Sequence, residues 1–297
     1  MGVDGILNIL KPPGITSFAV VSRIRRLSGE RRVGHAGTLD PAATGVLVVC
    51  LGQGTRVIEF LAGARKTYRA VIKLGAATDT YDASGRIIHS GDPSSVRREQ
   101  VEEVLNSFRG CIEQTPPMYS ARKHQGTRLY RLARKGIEVP RAPSRVDIFR
   151  LDLVEWQPPA LTIEVECSAG TYVRTLAHDV GMALGCGAHL ADLVRIESQP
   201  FHISQAVPLS TVEEAFPQGD WPRLLYPIDE VLTDWEAVVL SEESEARVKN
   251  GSSICLGEGD ATTRGPCRCR AYAPDGRFLA ILRHEGKNVW HPEKVFR

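Results

Sequence analysis

Apolar positions recur along this chain with two different spacings. Residues 6–10 form a short apolar run ending at Lys11-Pro12-Pro13-Gly14, which reads as a strand entering a rigid turn. Thr16 or Ser17 can cap a helix whose inward face is Val20, Ile24 and Leu27 and which stops near Gly29. Residues 34–45 read as a loop containing Pro41, and residues 46–51, apolar almost throughout, as a buried strand. Alternation follows at Tyr68, Ala70, Ile72 and Leu74 against Arg69 and Lys73, the mark of a half-buried strand. Val101, Val104, Leu105 and Phe108 return to helical spacing between Ser95 and Gly110. Leu161, Ile163, Val165 and Cys167 alternate with polar residues, and a helix bearing Leu176, Val180 and Leu184 runs to Gly185.

Residues 115–143 break both patterns. Pro116-Pro117 opens the stretch, Pro140 and Pro143 close it, and its middle is basic and weakly apolar, so it reads as a mobile excursion outside the core. Past Pro208 the chain is acidic and proline-punctuated, with a boundary around residues 226–234. Short strands at 270–273 and 278–282 flank Asp275-Gly276 in what reads as a small β domain. Half-exposed strands interspersed with helices favour an α+β fold with a mixed sheet over a doubly wound one.

Among 297 residues, 42% are hydrophobic and 24% charged, so a sizeable core needs no staples. The seven cysteines are scattered without a CxxC pair; the closest, Cys267 and Cys269, lack the second half of a zinc site. Reduced thiols and a cytoplasmic setting are expected. The first residues lack a signal-peptide pattern, and no apolar run is long enough for a bilayer. Net charge is only +2, but it is segregated. Arg23, Arg25, Arg26, Arg31 and Arg32 form one basic cluster, and Arg122, Lys123, Arg128, Arg131, Arg134, Lys135, Arg141, Arg145 and Arg150 a second, while residues 213–245 hold Arg223 as their only basic residue. Such segregation points to one face for a polyanion, whereas either cluster alone would read as a solvated helix face.

The candidate chemistry centres on residues 34–45, GHAGTLDPAATG. Taken alone, Asp40 before Pro41 is either a reactive carboxylate or the cap of a short turn. Phosphate cradling is the weaker alternative, because the glycines do not follow the GxxxxGK order. This segment resembles the catalytic loop of the bacterial tRNA pseudouridine-55 synthases, the TruB family. Further pieces follow in that family's order. They are Lys11-Pro12-Pro13-Gly14-Ile15-Thr16-Ser17, Lys66-Thr67-Tyr68, the turn from Gly75 through Thr78-Asp79-Thr80 to Asp82, Gly170-Thr171-Tyr172-Val173-Arg174-Thr175, and Gly185-Cys186-Gly187-Ala188-His189.

The resemblance runs from about Asn8 to Ile196. It implies a pseudouridine-synthase fold over residues 1–230, with a central mixed or antiparallel sheet flanked by helices. A small β-rich PUA-like RNA-binding domain is implied over residues 231–297. It implies catalytic roles for Asp40 as nucleophile, Arg174 as its ion-pair partner and Tyr68 as the stacking ring. Around the flipped nucleotide it implies His35, Tyr172, Leu193 and Lys11, with Lys11 placed to position the loop of Asp40. It further implies tRNA, through its T arm, as substrate, with no cofactor or metal, no membrane association, no obligatory protein partner and a monomeric state. Core packing is the competing reading for Tyr68, Tyr172 and Leu193, and a solvent-facing helix start for Arg174. Two other classes of function compete on the same scaffold: a non-catalytic RNA-binding or tRNA-folding protein, and a guide-RNA-dependent enzyme within a complex.

Overall fold

A computed structural model describes residues 2–257 and 268–296. The N-terminal strand β1 (Gly5–Lys11) leads through the proline turn into α1 (Ser17–Ser28). Thr16 is its cap, accepting from the Ala19 N–H at 3.0 Å, and Gly29 ends it at φ 66°. Next come β2 (Val33–Ala36), β3 (Thr44–Leu51), a short α2 (Ile58–Leu61), β4 (Lys66–Leu74) and the hairpin of β5 (Ala76–Thr78) and β6 (Ile87–Ser90). Helix α3 (Arg98–Ser107) precedes β7 (Gly110–Gln114). The basic excursion carries a small hairpin, β8 (Lys123–His124) and β9 (Thr127–Arg128), and one turn of helix, α4 (Leu129–Ala133). The chain then returns through β10 (Ser144–Gln157), β11 (Ala160–Cys167), α5 (Val173–Ala183), β12 (Ala188–Ser198), β13 (Phe201–His202), β14 (Val207–Pro208) and α6 (Leu209–Gln218).

Ten of these strands form one sheet, while β5–β6 and β8–β9 stand as separate hairpins. The sheet's path is β14-β1-β3-β12-β4-β11-β10-β7, with β2 on β3 and β13 on β12. Pairing is antiparallel except for β1 with β14 and β3 with β12, so the sheet is mixed, as the strand patterns implied. Alternation along β4 and β11 buries Tyr68, Ala70, Ile72, Leu161, Ile163 and Val165 under α3 and α5, while Val20, Ile24, Leu47 and Leu209 pack a second cluster. Both ends of the sequence meet at the third cluster, where Ile6, Val46 and Val48 pack with Ile281 and Phe296. Around them a five-stranded sheet runs β15 (Ala237–Val239), β17 (Arg268–Tyr272), β18 (Phe278–Gly286), β19 (Val289–Val295), β16 (Ile254–Cys255), flanked by α7 (Glu242–Lys249). This smaller sheet shares apolar surface with the larger one through Phe60, Trp235 and Phe278. Cys269 is buried, and its thiol is pushed up to about 12 by burial; Cys267 lies outside the described residues.

Three local expectations differ. Residues 33–36 form a strand where the glycines suggested loop, paired antiparallel with β3. The central strand β12 has mixed polarity, including a fully buried Arg195, and so hid from an apolar-run search. The excursion is not wholly outside the core. Gln114 at its root is 1% exposed, and Met118, Ser120 and Leu129 are buried, while residues 121–123 and 125–128 are exposed.

Gly45 closes the reactive loop onto the sheet. Its φ is 101°, and a Cβ would lie 2.2 Å from the Arg195 carbonyl of the parallel neighbour β12. Gly45→Ala is therefore expected to lower unfolding free energy by more than about 1 kcal/mol, read as a lower denaturant midpoint at unchanged slope.

Candidate active site

The proline turn and the start of α1 act as a bracket for the loop that bears Asp40. Lys11 is fully buried and gives its ammonium hydrogens to the carbonyls of Pro12 (2.8 Å), Pro41 (3.1 Å) and Ala43 (2.7 Å). Ser17 Oγ donates to the Leu39 carbonyl at 3.1 Å and accepts from the Leu39 N–H at 2.8 Å, while the Gly14 N–H reaches the Pro41 carbonyl. The turn at Asp40 is closed by backbone, Ala43 N–H to Asp40 carbonyl at 3.2 Å, which leaves the carboxylate for another partner.

That partner is Arg174, at the start of α5. Its Nε lies 2.9 Å from Asp40 Oδ2 and its Nη2 3.3 Å from Asp40 Oδ1, a two-pronged contact. Nη1 reaches Asp82 Oδ2 and the Thr80 carbonyl, each at 3.3 Å, and Nη2 also donates to the Tyr119 carbonyl at 2.8 Å. The Arg174 side chain is 7% exposed and that of Asp40 38%, so the carboxylate sits at the mouth of a buried cationic well. Burial pushes the Asp40 carboxyl above its ordinary value and Asp82 adds to the rise, while Arg174 and Lys11 pull it down. At Asp82 burial pushes upward too. There it is outweighed by hydrogen bonds from Ser84 and Thr80 and by the charge of Arg174, so that carboxyl lies below its ordinary value. The Lys11 ammonium falls to about 8 through burial, with Arg195 adding to the fall and Asp40 opposing it.

The remaining residues singled out from sequence come from β1, β2, β4, β12 and the start of α5. Tyr68 and Ala70 on β4 stand opposite Arg195 and Leu193 on β12, so all four share one face of the sheet. Tyr68 and Leu193 are each 8% exposed and pack in the cluster that contains Leu39. Burial raises the Tyr68 phenol, against the charge of Arg195. His35, on β2, is half-buried with an unpartnered Nδ1; burial and Arg195 hold it below its usual range, so it is neutral at neutral pH. Tyr172 caps α5 through backbone, its N–H donating to Gln114 Oε1 at 3.0 Å and its carbonyl accepting from Gln114 Nε2. Lys11 supports the loop from beneath rather than lining its open side. Among the described residues no group of three or more His, Cys, Asp or Glu is arranged to hold a metal.

Residues 25–173 match the family model described as TruB family pseudouridylate synthase (N terminal domain), and residues 174–239 match the tRNA pseudouridylate synthase B C-terminal domain. A tRNA pseudouridine synthase B of Dehalococcoides mccartyi (strain ATCC BAA-2266 / KCTC 15142 / 195) is 44% identical over 294 residues, covering 99% of this chain and 97% of that protein. The chain belongs to the TruB family of pseudouridylate synthases. A relative of the same name from Syntrophotalea carbinolica is 50% identical over 249 residues, 84% of this chain and 81% of its own. Among solved structures, a chain from "Crystal Structure of a Cbf5-Nop10-Gar1 Complex" superposes with a TM-score of 0.73 at 25% identity, covering 99% of this chain and 85% of that one. The isomerisation of uridine to pseudouridine is thus this chain's chemistry. Between the two TruB models the boundary falls at the first residues of α5, inside the large sheet's succession of strands, because β12 follows it.

Four residues that bond to this cluster were not singled out from sequence. Asp82 ends the Gly75–Asp82 turn and was visible there as an acid; Arg195 was visible as a lone cation amid Leu190, Leu193 and Ile196. Gln114 and the Tyr119 carbonyl carried no signal, since one acts through the far side of a turn and the other through backbone.

The two carboxyls make opposite predictions. In a carboxyl-resolved NMR titration, Asp40 should titrate above an ordinary aspartate, move higher in Arg174→Gln and move lower in Asp82→Asn. Removing a cation takes away a stabiliser of the charged form, whereas removing an anion takes away a repulsion.

Proposed function

We propose that this chain isomerises the T-loop uridine of tRNA, position 55, to pseudouridine, with Asp40 as nucleophile on a flipped-out nucleotide and without a cofactor. The observation that carries this reading is the two-pronged Arg174–Asp40 pair, set beside the buried cluster in which Tyr68 and Leu193 pack with Leu39. The reaction breaks the bond from ribose C1′ to N1 and forms one to C5, and the C5 proton is lost as N1 gains one. Oxidation state does not change, so neither electrons nor a group donor are needed. A carboxylate that attacks and later leaves suffices, provided it arrives ionised and already aimed. Arg174 supports both conditions, while Lys11 and Ser17 fix the loop behind it.

Extruding a stacked uridine costs about a few kcal/mol, and an aromatic face recovers roughly 1–3 kcal/mol per base. Tyr68 is the ring for that contact, Leu193 and Tyr172 the walls, and neutral His35 the filler of the vacated space. Of the basic residues, Arg23 pairs with Glu213 at 3.1 Å and Arg25 bonds the Val33 carbonyl, so α1 spends two of its arginines internally. Arg122, Lys123, Arg128 and Lys135 stand exposed on the excursion without an ion pair among the described residues, which supports it as the phosphate clamp. The smaller C-terminal sheet is the PUA-like domain in this reading, and the protein acts as a cytoplasmic monomer with no obligatory protein partner.

Purified protein incubated alone with an unmodified tRNA transcript should form pseudouridine at position 55. Asp40→Asn should bind that transcript normally and form none. Arg174→Leu should lose roughly 10²-fold in kcat with little change in affinity; affinity lost with turnover intact would refute the pairing. Affinity should also fall by roughly 0.7–0.9 log unit per phosphate contact for each decade of salt.

A further inference from the structure

We propose that the stacked rings of Tyr81 and His178 form a positioning device that holds Asp82 against Arg174. The proposal deepens the reading above, in which Arg174 presents Asp40. Arg174 and His178 lie four residues apart on α5, hence on one face of the helix a turn apart. Tyr81 immediately precedes Asp82, whose Oδ2 accepts from Arg174. The ring pair and the ion pair therefore join the same two segments side by side. The ring centroids are 4.0 Å apart and the planes 19° from parallel.

The turn is shaped for this contact. Tyr81 has φ 64°, a left-handed conformation unfavourable for a bulky residue. Backbone bonds keep it there: Tyr81 N–H to the Thr78 carbonyl, Leu190 N–H to the Tyr81 carbonyl, and Ala83 N–H to the Leu190 carbonyl. Asp82 Oδ1 is engaged by the Thr80 hydroxyl at 2.7 Å and by the Ser84 N–H at 3.0 Å and hydroxyl at 2.5 Å, which turns Oδ2 towards Arg174. His178 Nδ1 is buried without a partner, so the imidazole contributes its face rather than a hydrogen bond from that atom. Burial and the neighbouring His89 keep the ring below its usual range and neutral at neutral pH. The contact has no other evident use, since neither ring bonds Asp40 among the described residues.

Four variants test the device. His178→Leu fills the space without stacking; Tyr81→Asn keeps a residue that tolerates the left-handed backbone but removes the ring. Both should lower kcat by roughly 10-fold on an unmodified tRNA transcript, as a small misplacement of a catalytic group does, and leave transcript affinity in place. His178→Phe and Tyr81→Phe, which keep flat faces, should restore kcat. In His178→Leu the Asp82 carboxyl should also titrate higher than in the parent, because it loses part of its hold on Arg174. That titration reads the geometry without turnover, so an inactive parent would refute the proposed function and still leave this inference decided. Wild-type kcat in both stacking-deficient variants, a loss confined to affinity, no rescue by His178→Phe, or an unshifted Asp82 carboxyl would each overturn it.

Discussion

A single buried guanidinium holds this site together. Arg174 directs its nitrogens at two carboxylates and two carbonyls drawn from residues 40, 80, 82 and 119, while its own backbone opens α5. Moving an isolated cation to such a place would cost several kcal/mol, so the well exists only because its partners fill it. Removing any one partner leaves a buried N–H without its acceptor, which ties four distant pieces of chain to one geometry. The same interaction resolves a conflict in the chemistry. A nucleophilic carboxylate needs a pocket that excludes water, and burial by itself would neutralise it. Asp40 keeps 38% of its side-chain surface accessible and faces the cation with both oxygens, so it is aimed without being sealed in.

Aiming a charge from a loop requires that the loop be stiff. Here stiffness comes from backbone capture rather than from regular structure. Lys11 binds three carbonyls, two of which follow Asp40 within three residues, and Ser17 takes both polar groups of Leu39. An ammonium is suited to the first task because it offers three hydrogens from one point, and burial at 0% exposure removes water as a competitor. The proline turn is thus the loop's other half, although more than twenty residues separate them.

Much of this could be read from the chain, and the parts that could not share a cause. Alternation in β4 and β11 marked strands buried on one face, and the spacing of Leu176 and Val180 marked α5, because each reports a single apolar surface. Asp40, Arg174, Tyr68 and Leu193 were reachable because side-chain chemistry and ordered motifs single them out. β12 was not, because it crosses the sheet centre with polar residues that meet partners from other segments, Arg195 bonding Val46 and Gly37 through their carbonyls. The choice between capping and reacting for Asp40 was likewise undecidable locally: the turn closes through backbone, and only α5, brought in by the fold, claims the carboxylate. Gln114 acts on the main chain of Tyr172 and Tyr119 acts through its own carbonyl, and main-chain atoms leave no trace in residue type.

In the proposed reading the excursion is a clamp, separate from the chemistry in sequence and joined to it in structure. Its exposed tip holds cations that have no ion pair among the described residues, but its root is locked twice, by the reciprocal Gln114–Tyr172 bonds and by the Tyr119 carbonyl on Arg174. Arg141 adds a bond to the Pro116 carbonyl where the chain returns. Any rearrangement of the tip that leaves these bonds in place must hinge beyond Ser120. Displacement extending as far as Tyr119 would instead take an acceptor from the guanidinium that presents Asp40. The architecture therefore favours a clamp that bends at its tip over one that swings from its base, since only the first keeps the nucleophile aimed while RNA is gripped.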